Sequence, residues 1–347
     1  MLIFLIFLLG IIFIQIYPAK ENTFHFNYCS PKQTASINGI FTILIFLSHA
    51  SQYVILDGSL DAPYLTMRTY MAQLVVVSFL FFSGFGIMES IKKKGQSYIK
   101  SILTTRLFKV WYHFAIALLP YVVVNFIFNR NYGRYKTVFS FTGYTSIGNS
   151  NWYMLVTFAL YIIVFLAFMF ARNHLISGVF LVFVLTFLFA FWEWNMGLAS
   201  RYYNTIFCFP AGMLFSMMKP SFDKYVMKND AFWMGTFCLF FGAFYYFSTF
   251  RNTSLIHYNV FSILAVFLII LLTMKIKITN PALNWFGNHV FSVFMLQRIP
   301  MIILKEMGYA HHTYGFIITS FVVTIFLSMV FDELMKYLDS LIFSYSH

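Results

Sequence analysis

Four polar side chains lie at helical spacing in one otherwise apolar segment, and one of them is a histidine. Asn38, Thr42, His49 and Gln52 follow one another at intervals of 4, 7 and 3 residues, which places them on one face of a helix. Because an imidazole exchanges protons near neutral pH, His49 is the candidate general base of a proton-transfer step. A structural histidine, hydrogen-bonded to a neighbouring helix, fits the same pattern.

A group of small residues followed by cations marks a second region. Ser83, Gly84 and Gly86 allow a close approach of the backbone, either to another helix or to a ligand. Six cations follow them: Lys92, Lys93, Lys94, Lys100, Arg106 and Lys109. The positive-inside rule with anionic lipid explains such a cluster, and so does a phosphate-rich cosubstrate such as a nucleotide or coenzyme A. ATP and NAD lack support, because the sequence has neither a Walker A loop nor a Rossmann glycine pattern.

The remaining chemical residue types give weaker signals. Asn151, Trp152 and Tyr153 open a later apolar segment, where an aromatic belt explains them as well as a binding role does. His113 and His289 have no polar stripe on their own helices, which favours packing. Neither paired carboxylates nor a Ser-His-Asp triad can be assembled inside the apolar segments. No metal site is expected, because the three cysteines lie far apart without metal-ligand spacing.

The composition shows which elements must position these residues. Hydrophobic residues make up 60% of the 347-residue chain and charged residues only 10%, whereas about a quarter of a soluble domain is charged. The chain is therefore predicted to be an all-α, polytopic transmembrane helical bundle. Its 23 Lys and Arg against 11 Asp and Glu give a net charge of +12, but the cations fall in short clusters between apolar runs. We expect membrane lipid as a partner and no nucleic acid.

Apolar runs of about 20 residues, enough to cross a bilayer core of about 30 Å, predict about eleven helices. They lie near residues 2–17, 37–56, 70–90, 107–128, 150–170, 175–194, 200–218, 231–250, 257–275, 285–304 and 313–331. Segment 1–36 is predicted to be an N-terminal transmembrane helix with a cytoplasmic loop, and 37–347 to be one transmembrane domain. With that loop inside, 15 of the 23 basic residues are cytoplasmic and 8 are outside, which sets the orientation. His49 then lies near or just past mid-membrane, toward the outside.

Several of these segments together resemble a known family of membrane enzymes. They are Asn38-Gly39-Ile40 through Ser48-His49, Phe82-Ser83-Gly84-Phe85-Gly86, Arg106, Asn151-Trp152-Tyr153, Tyr203 through Met213, and Phe286-Gly287 through Gln297. Their order and spacing, over about residues 37 to 304, resemble the acyltransferase family 3 membrane proteins. The resemblance implies a core of ten transmembrane helices, to which the first predicted helix of this chain is an addition.

The resemblance also implies a function. It implies transfer of an acyl group, most often acetyl, from cytoplasmic acyl-coenzyme A to a hydroxyl of a glycan or lipid-linked sugar across the membrane. The site residues expected are His49 as catalytic base, Arg106, Lys109, Ser83 and Asn38 at the donor, and Gln52, Trp152 and Tyr153 at the acceptor. Acyl-coenzyme A is then a cosubstrate and not a permanently bound cofactor. A multi-pass protein of the bacterial cytoplasmic membrane is the expected setting.

Two other classes of function stay open on the sequence. A glycan or lipid transporter or flippase would share this composition, although no inverted repeat is visible. A catalytically silent membrane scaffold is the other, because Asn38 stands where the family carries a basic residue eleven positions before its histidine. Cleavage of a thioester by the purified protein separates an enzyme from both.

Overall fold

The computed structural model describes residues 1–172 and 174–343, and these residues form an almost entirely helical bundle. Within them the α-helices are, in chain order, α1 (Leu2–Phe13), α2 (Pro31–Ala50), α3 (Ala62–Met71), α4 (Val77–Lys94), α5 (Gln96–Ile102), α6 (Lys109–Ile127), α7 (Gly133–Ser140), α8 (Trp152–Ala171), α9 (Leu175–Asn195), α10 (Cys208–Val226), α11 (Asp230–Phe250), α12 (Leu255–Lys275), α13 (Pro281–Asn288), α14 (Val290–Leu296), α15 (Arg298–Glu306) and α16 (Thr313–Phe343). A 3-10 turn, Ala72–Val76, joins α3 to α4, and a π-helical turn, Leu103–Phe108, joins α5 to α6.

Seven continuous helical stretches in the described part of the chain are long and apolar enough to cross a membrane. They are Ala62–Lys94, Gln96–Ile127, Trp152–Ala171, Leu175–Asn195, Asp230–Phe250, Leu255–Lys275 and Thr313–Phe343. Each predicted apolar segment overlaps one of these stretches, or else α1, α2, α10 or the consecutive helices α13 to α15. The prediction of an all-α, polytopic transmembrane bundle is confirmed, while the division at residue 36 stays a prediction.

Helix α2 differs from its predicted bounds in a way that moves the histidine. It begins at Pro31, well before the apolar run at 37–56, because Ser30 is extended and a proline suits the first turn of a helix. It ends at Ala50, so His49 lies in the last turn. The imidazole is therefore nearer to the outer end of the helix than the apolar run alone indicates.

Helix α1 also ends earlier than the apolar run 2–17, because the chain turns at Gln15, whose φ is 63°. The next residues form strand β1 (Ile16–Pro18), which pairs antiparallel with β2 (Ile276–Ile278), with Ile16 opposite Ile278. This short ribbon ties the end of α1 to the end of α12. An apolar run does not distinguish a strand from a helix over so few residues.

Glycines bring α2 into backbone contact with α13. A Cβ atom at Gly39 would lie 1.9 Å from the carbonyl oxygen of Leu283, and one at Gly287 would lie 1.7 Å from that of Ala35. No side chain fits between the two helices at these points. The pair therefore holds the first half of α2 in one fixed position, and the second half carries His49.

A second pair of glycines joins α4 to α10. A Cβ atom at Gly84 would lie 2.0 Å from the carbonyl oxygen of Phe209, and one at Gly212 would lie 2.0 Å from that of Phe81. By contrast, a Cβ atom at Gly86 would meet nothing within 4 Å. Of the two glycines in this sequence motif, Gly84 serves helix packing and Gly86 lies beside open space.

Candidate active site

A cavity of about 640 Å³ lies at the predicted extracytoplasmic end of α2. Its walls are the last turn of α2, the turn at 72–76, the segment 146–152 and the start of α15. His49, Gln52 and Trp152, three of the residues that the sequence singled out, line it together. It is termed the His49 cavity below. The fold thus collects one predicted catalytic and two predicted acceptor residues in one place.

The His49 ring has no acidic partner, unlike the two other histidines that the sequence singled out. His113 pairs with Asp339, with Nε2 and Oδ1 2.9 Å apart, and His289 Nδ1 pairs with Asp332. In the described part of the chain no Asp or Glu forms an ion pair with His49. Of these three histidines, His49 is therefore the one whose ring is not engaged by a carboxylate in the described structure, and it lines the cavity.

The surroundings of His49 are aromatic rings and amides. The Phe294 ring is centred 5.9 Å from the His49 ring, and the Gln297 side chain approaches the imidazole. Nδ1 of His49 and Oε1 of Gln297 are buried, and neither has a hydrogen bond of good geometry to any described residue. Buried polar atoms without partners mark a place that a ligand or water completes.

Arg298 brings a positive charge into the same cavity. Its guanidinium donates to Gln52 Oε1 at 2.9 Å, to Ser150 Oγ at 3.0 Å and to the Tyr53 hydroxyl at 3.3 Å. It also lies close enough to His49 to act on the imidazole electrostatically. All three hydrogen-bond partners are neutral, so the positive charge of Arg298 stays available to a ligand.

Arg298 is the main residue of the cavity that the sequence analysis did not select. The signal available was a single arginine directly after Gln297, inside an apolar segment, where an ionisable residue is a functional candidate by default. Its partners Gln52 and Ser150 lie far away along the chain, so helical spacing does not reveal their meeting.

Two further predicted site residues, Tyr153 and Asn38, differ in how close they lie to His49. The Tyr153 ring is centred 5.8 Å from Phe294, the ring that also contacts His49. Asn38 lies eleven residues before His49 on α2, about 16 Å away along the helix axis. It is not among the residues that line the His49 cavity. Its buried Oδ1 has no hydrogen-bond partner among the described residues.

The predicted donor residues Arg106 and Ser83 meet through tyrosines. Arg106 lies on the π-helical turn and donates from Nε to the Tyr98 hydroxyl at 3.1 Å. Tyr161 interacts with Ser83 through its side chain and lies in electrostatic range of Arg106 and Tyr153. Tyr161 is thus in electrostatic range of both Arg106 and Tyr153, and Tyr153 packs against the Phe294 ring beside His49. Single π-helical turns within α-helices are frequent at functional sites.

The cations of the cluster that includes Arg106 differ in whether a carboxylate neutralises their charge. Lys109 Nζ forms an ion pair with Asp339 Oδ2 at 2.7 Å, and Lys92 Nζ forms one with Glu89 Oε1 at 2.5 Å. Arg106 is exposed and, within residues 1–172 and 174–343, forms no ion pair with a carboxylate. Of the two predicted phosphate-binding residues, Arg106 is the one whose charge is not already neutralised.

A Ser, a His and an Asp do come together near the opposite end of α14, but not as a nucleophile with its base. The Ser292 hydroxyl donates to Asp332 Oδ2 at 2.7 Å, and His289 Nδ1 contacts the same carboxylate oxygen. The Trp285 ring stacks on the imidazole at 4.4 Å. The carboxylate thus binds serine and histidine side by side, and the hydroxyl is not held toward a basic nitrogen.

A second cavity, also of about 640 Å³, opens at the other end of α2, on the predicted cytoplasmic side. Phe82 and Gly86 of α4 line it, together with Cys29, Glu89 and Lys219. It is termed the inner cavity below. The predicted donor side of the bundle therefore has an opening beside the glycine that contacts no neighbouring helix.

Comparison with known proteins gives one match. Residues 35–333 match a family model described as an acyltransferase domain. That range includes the end of α2 that lines the His49 cavity and the residues His49, Arg106 and Arg298. No curated protein and no solved structure matches the chain.

Proposed function

The chain belongs to the acyltransferase family whose domain it matches over residues 35–333, and from that premise we propose its donor, its acceptor and its base. The resemblance stated from the sequence motifs is confirmed, and the protein is a multi-pass membrane acyltransferase. The proposed reaction moves an acetyl group from cytoplasmic acetyl-coenzyme A to a hydroxyl of an extracytoplasmic glycan or lipid-linked sugar. The proposed setting is a bacterial cytoplasmic membrane.

His49 is the proposed general base, and this proposal is supported by an unpaired imidazole that lines a cavity at the predicted extracytoplasmic end of α2. It takes the proton of the acceptor hydroxyl as that oxygen attacks the thioester carbonyl carbon. The carbon–sulfur bond then breaks, and the imidazolium returns the proton to the leaving thiolate, which gives coenzyme A and an acetyl ester. A positioned base of this kind contributes about 10² to 10⁴ in rate.

Arg298 is proposed to support the charge that develops in this step. Negative charge grows on the carbonyl oxygen in the transition state, and a fixed positive group nearby stabilises it. Arg298 is held in place by three neutral hydrogen bonds, so it needs no rearrangement when the charge appears. Gln52 and Trp152 are proposed to contact the acceptor from the same wall.

The donor is proposed to enter from the inner cavity. Arg106 is the proposed phosphate contact, because a guanidinium binds phosphate oxygens well and this one has no carboxylate partner in the described structure. The acyl chain would then pass Tyr161, which is in electrostatic range of Arg106, and Tyr153, which packs against the Phe294 ring. No covalent acyl-enzyme is required, because a thioester is already activated.

The test is acetyl transfer by the purified protein in lipid nanodiscs. Acetyl-coenzyme A and a surface-glycan extract are supplied, thiol release is followed, and the glycan is examined for new acetyl esters by NMR. We expect thiol release that depends on the glycan, with one ester formed for each thiol. No thiol release, together with movement of the glycan lipid across proteoliposomes, would establish a flippase in its place. If the protein shows neither thiol release nor glycan-lipid movement, the remaining function is that of a catalytically silent scaffold.

A further inference from the structure

We propose that the acceptor is an anionic glycan, one that carries phosphate or carboxylate groups near the acylated hydroxyl. This inference rests on the proposed function, because it assigns the acceptor class of the same cavity. The observation behind it is the charge of the cavity wall. Four lining residues are cations, Arg130, Arg201, Arg298 and Lys305, and no lining residue is a carboxylate.

These four cations are mostly without counter-charges. Arg130 has one, Glu306, with Nε and Oε1 3.7 Å apart. In the described ranges, Arg201, Arg298 and Lys305 form no ion pair. Only 8 of the 23 basic residues lie on the predicted outer side, and half of them surround this one cavity. The positive-inside rule does not account for that concentration, since it places cations on the other side.

Two of the cations lie near one aromatic ring. The Arg298 guanidinium carbon and the Lys305 Nζ each lie 5.9 Å from the centre of the Tyr53 ring. Cations that line one cavity repel each other, and an anion bound in the cavity lowers that energy. Arg298 lies half-buried beside His49, whereas Lys305 and Arg201 are exposed at the mouth. The positive charge therefore extends from solvent to the proposed base.

Neutral polar groups in the same wall suit a sugar. Asn149 is 5% exposed, and its Nδ2 has no hydrogen-bond partner among the described residues. Oε1 of Gln73 is likewise buried and unpartnered there. Both residues line the His49 cavity, and Trp152 adds an aromatic face. A free hydrogen-bond donor, a free hydrogen-bond acceptor and an aromatic ring, in a wall that also carries cations, match a hydroxylated ligand with negative charge.

The coenzyme's own phosphates are a poor fit for these cations. The His49 cavity opens at the last turn of α2, whereas the inner cavity, from which the donor is proposed to enter, opens at the first turn of that helix. A donor that reached the outer cations with its phosphates would carry its thioester past His49. The acceptor is therefore the substrate that we expect to bring negative charge to the cations of the His49 cavity.

The experiment measures binding, which does not require transfer. The full-length protein in phosphatidylcholine nanodiscs is titrated by calorimetry with oligogalacturonate, with a glycerol phosphate oligomer, and with a neutral maltooligosaccharide of equal length. We expect at least one charged oligomer to bind about tenfold more tightly than the neutral one, and less tightly as salt rises. The Arg201→Gln/Lys305→Gln protein should lose about tenfold in that affinity, because each exposed ion pair is worth a factor of a few.

Lys136→Gln is the matched control, because Lys136 is an exposed cation of the predicted outer loop that does not line the cavity. It should bind as the wild type does. His49→Ala should keep the charged-oligomer affinity while losing transfer. Equal binding of charged and neutral oligomers, or an equal effect of Lys136→Gln, would overturn the anionic acceptor.

Two further outcomes separate the sources of charge and the two proposals. If neither charged oligomer binds in phosphatidylcholine nanodiscs, and a second preparation containing phosphatidylglycerol shows that lipid bound at the cations, the ligand is a lipid headgroup and the inference fails. If neutral glycans are acetylated as fast as charged ones, the inference fails while the proposed function stands. If charged oligomers bind with the expected preference but no thioester is ever cleaved, the binding site stands and the proposed acetyl transfer fails.

Discussion

Replacing Gly84 or Gly86 with alanine separates helix packing from ligand access within one sequence motif. At Gly84 the new Cβ would lie 2.0 Å from the Phe209 carbonyl oxygen, so α4 and α10 must move apart. At Gly86 nothing lies within 4 Å. Overpacking at a rigid backbone costs about 3 kcal/mol, and the gain in helix propensity on replacing glycine by alanine is about 1 kcal/mol at either site.

The net effects follow from these two terms. Gly84→Ala should be less stable than the wild type by about 2 kcal/mol, and Gly86→Ala more stable by about 1 kcal/mol. An unfolding entropy of about 2.1 cal/mol/K per residue gives about 0.7 kcal/mol/K for 347 residues. The two variants should therefore differ in Tm by about 4 °C.

The assay is thermal unfolding in one detergent, followed by tryptophan fluorescence and by size-exclusion chromatography after heating. Equal Tm values for Gly84→Ala and Gly86→Ala would refute the packing argument. Gly86 lines the inner cavity. A loss of activity in Gly86→Ala at unchanged or raised Tm would therefore report on donor access and not on folding.

Three further predictions concern charge, topology and pH. Arg106→Gln should raise the KM for acyl-coenzyme A without changing the KM for the acceptor. Lys109→Gln should lower Tm and leave both KM values unchanged, because Lys109 is already paired with a carboxylate of α16. Cysteines placed at Lys94 and Tyr135 should label oppositely with an impermeant reagent in intact cells, and labelling at 94 from outside would reverse the orientation. Burial raises the pKa of the Cys29 thiol to about 12, so at pH 8 roughly one molecule in ten thousand has the reactive thiolate. Iodoacetamide should therefore label Cys29 only after unfolding in SDS. Rapid labelling of Cys29 in the folded protein would contradict this pKa shift.

The helical elements were predictable because the length and hydropathy of a membrane segment largely decide its structure. The residues at which these elements begin and end were less predictable. The start of α2 depends on Pro31 and Ser30, a local turn signal outside the apolar run. The β1–β2 ribbon depends on pairing between residues about 260 positions apart, which no local pattern records.

The site was predictable where one helix carries the signal. His49 and Gln52 share a helical face, and the structure places both in one cavity. Arg298 reaches that cavity from the far end of the chain, so only the tertiary fold reveals it. Likewise, charge alone gives no reason to separate Arg106 from Lys109. The difference arises because Asp339 comes to lie beside Lys109.

The most direct test of His49 as the general base is the rate of acyl transfer by His49→Ala, measured per folded molecule in nanodiscs. The predicted rate is about 10² to 10⁴ lower than that of the wild type, with an unchanged size-exclusion profile. His311→Ala, which removes an exposed histidine outside both cavities, should transfer at the wild-type rate. A well-folded His49→Ala protein that transfers at a rate within a few-fold of the wild type would contradict the assignment.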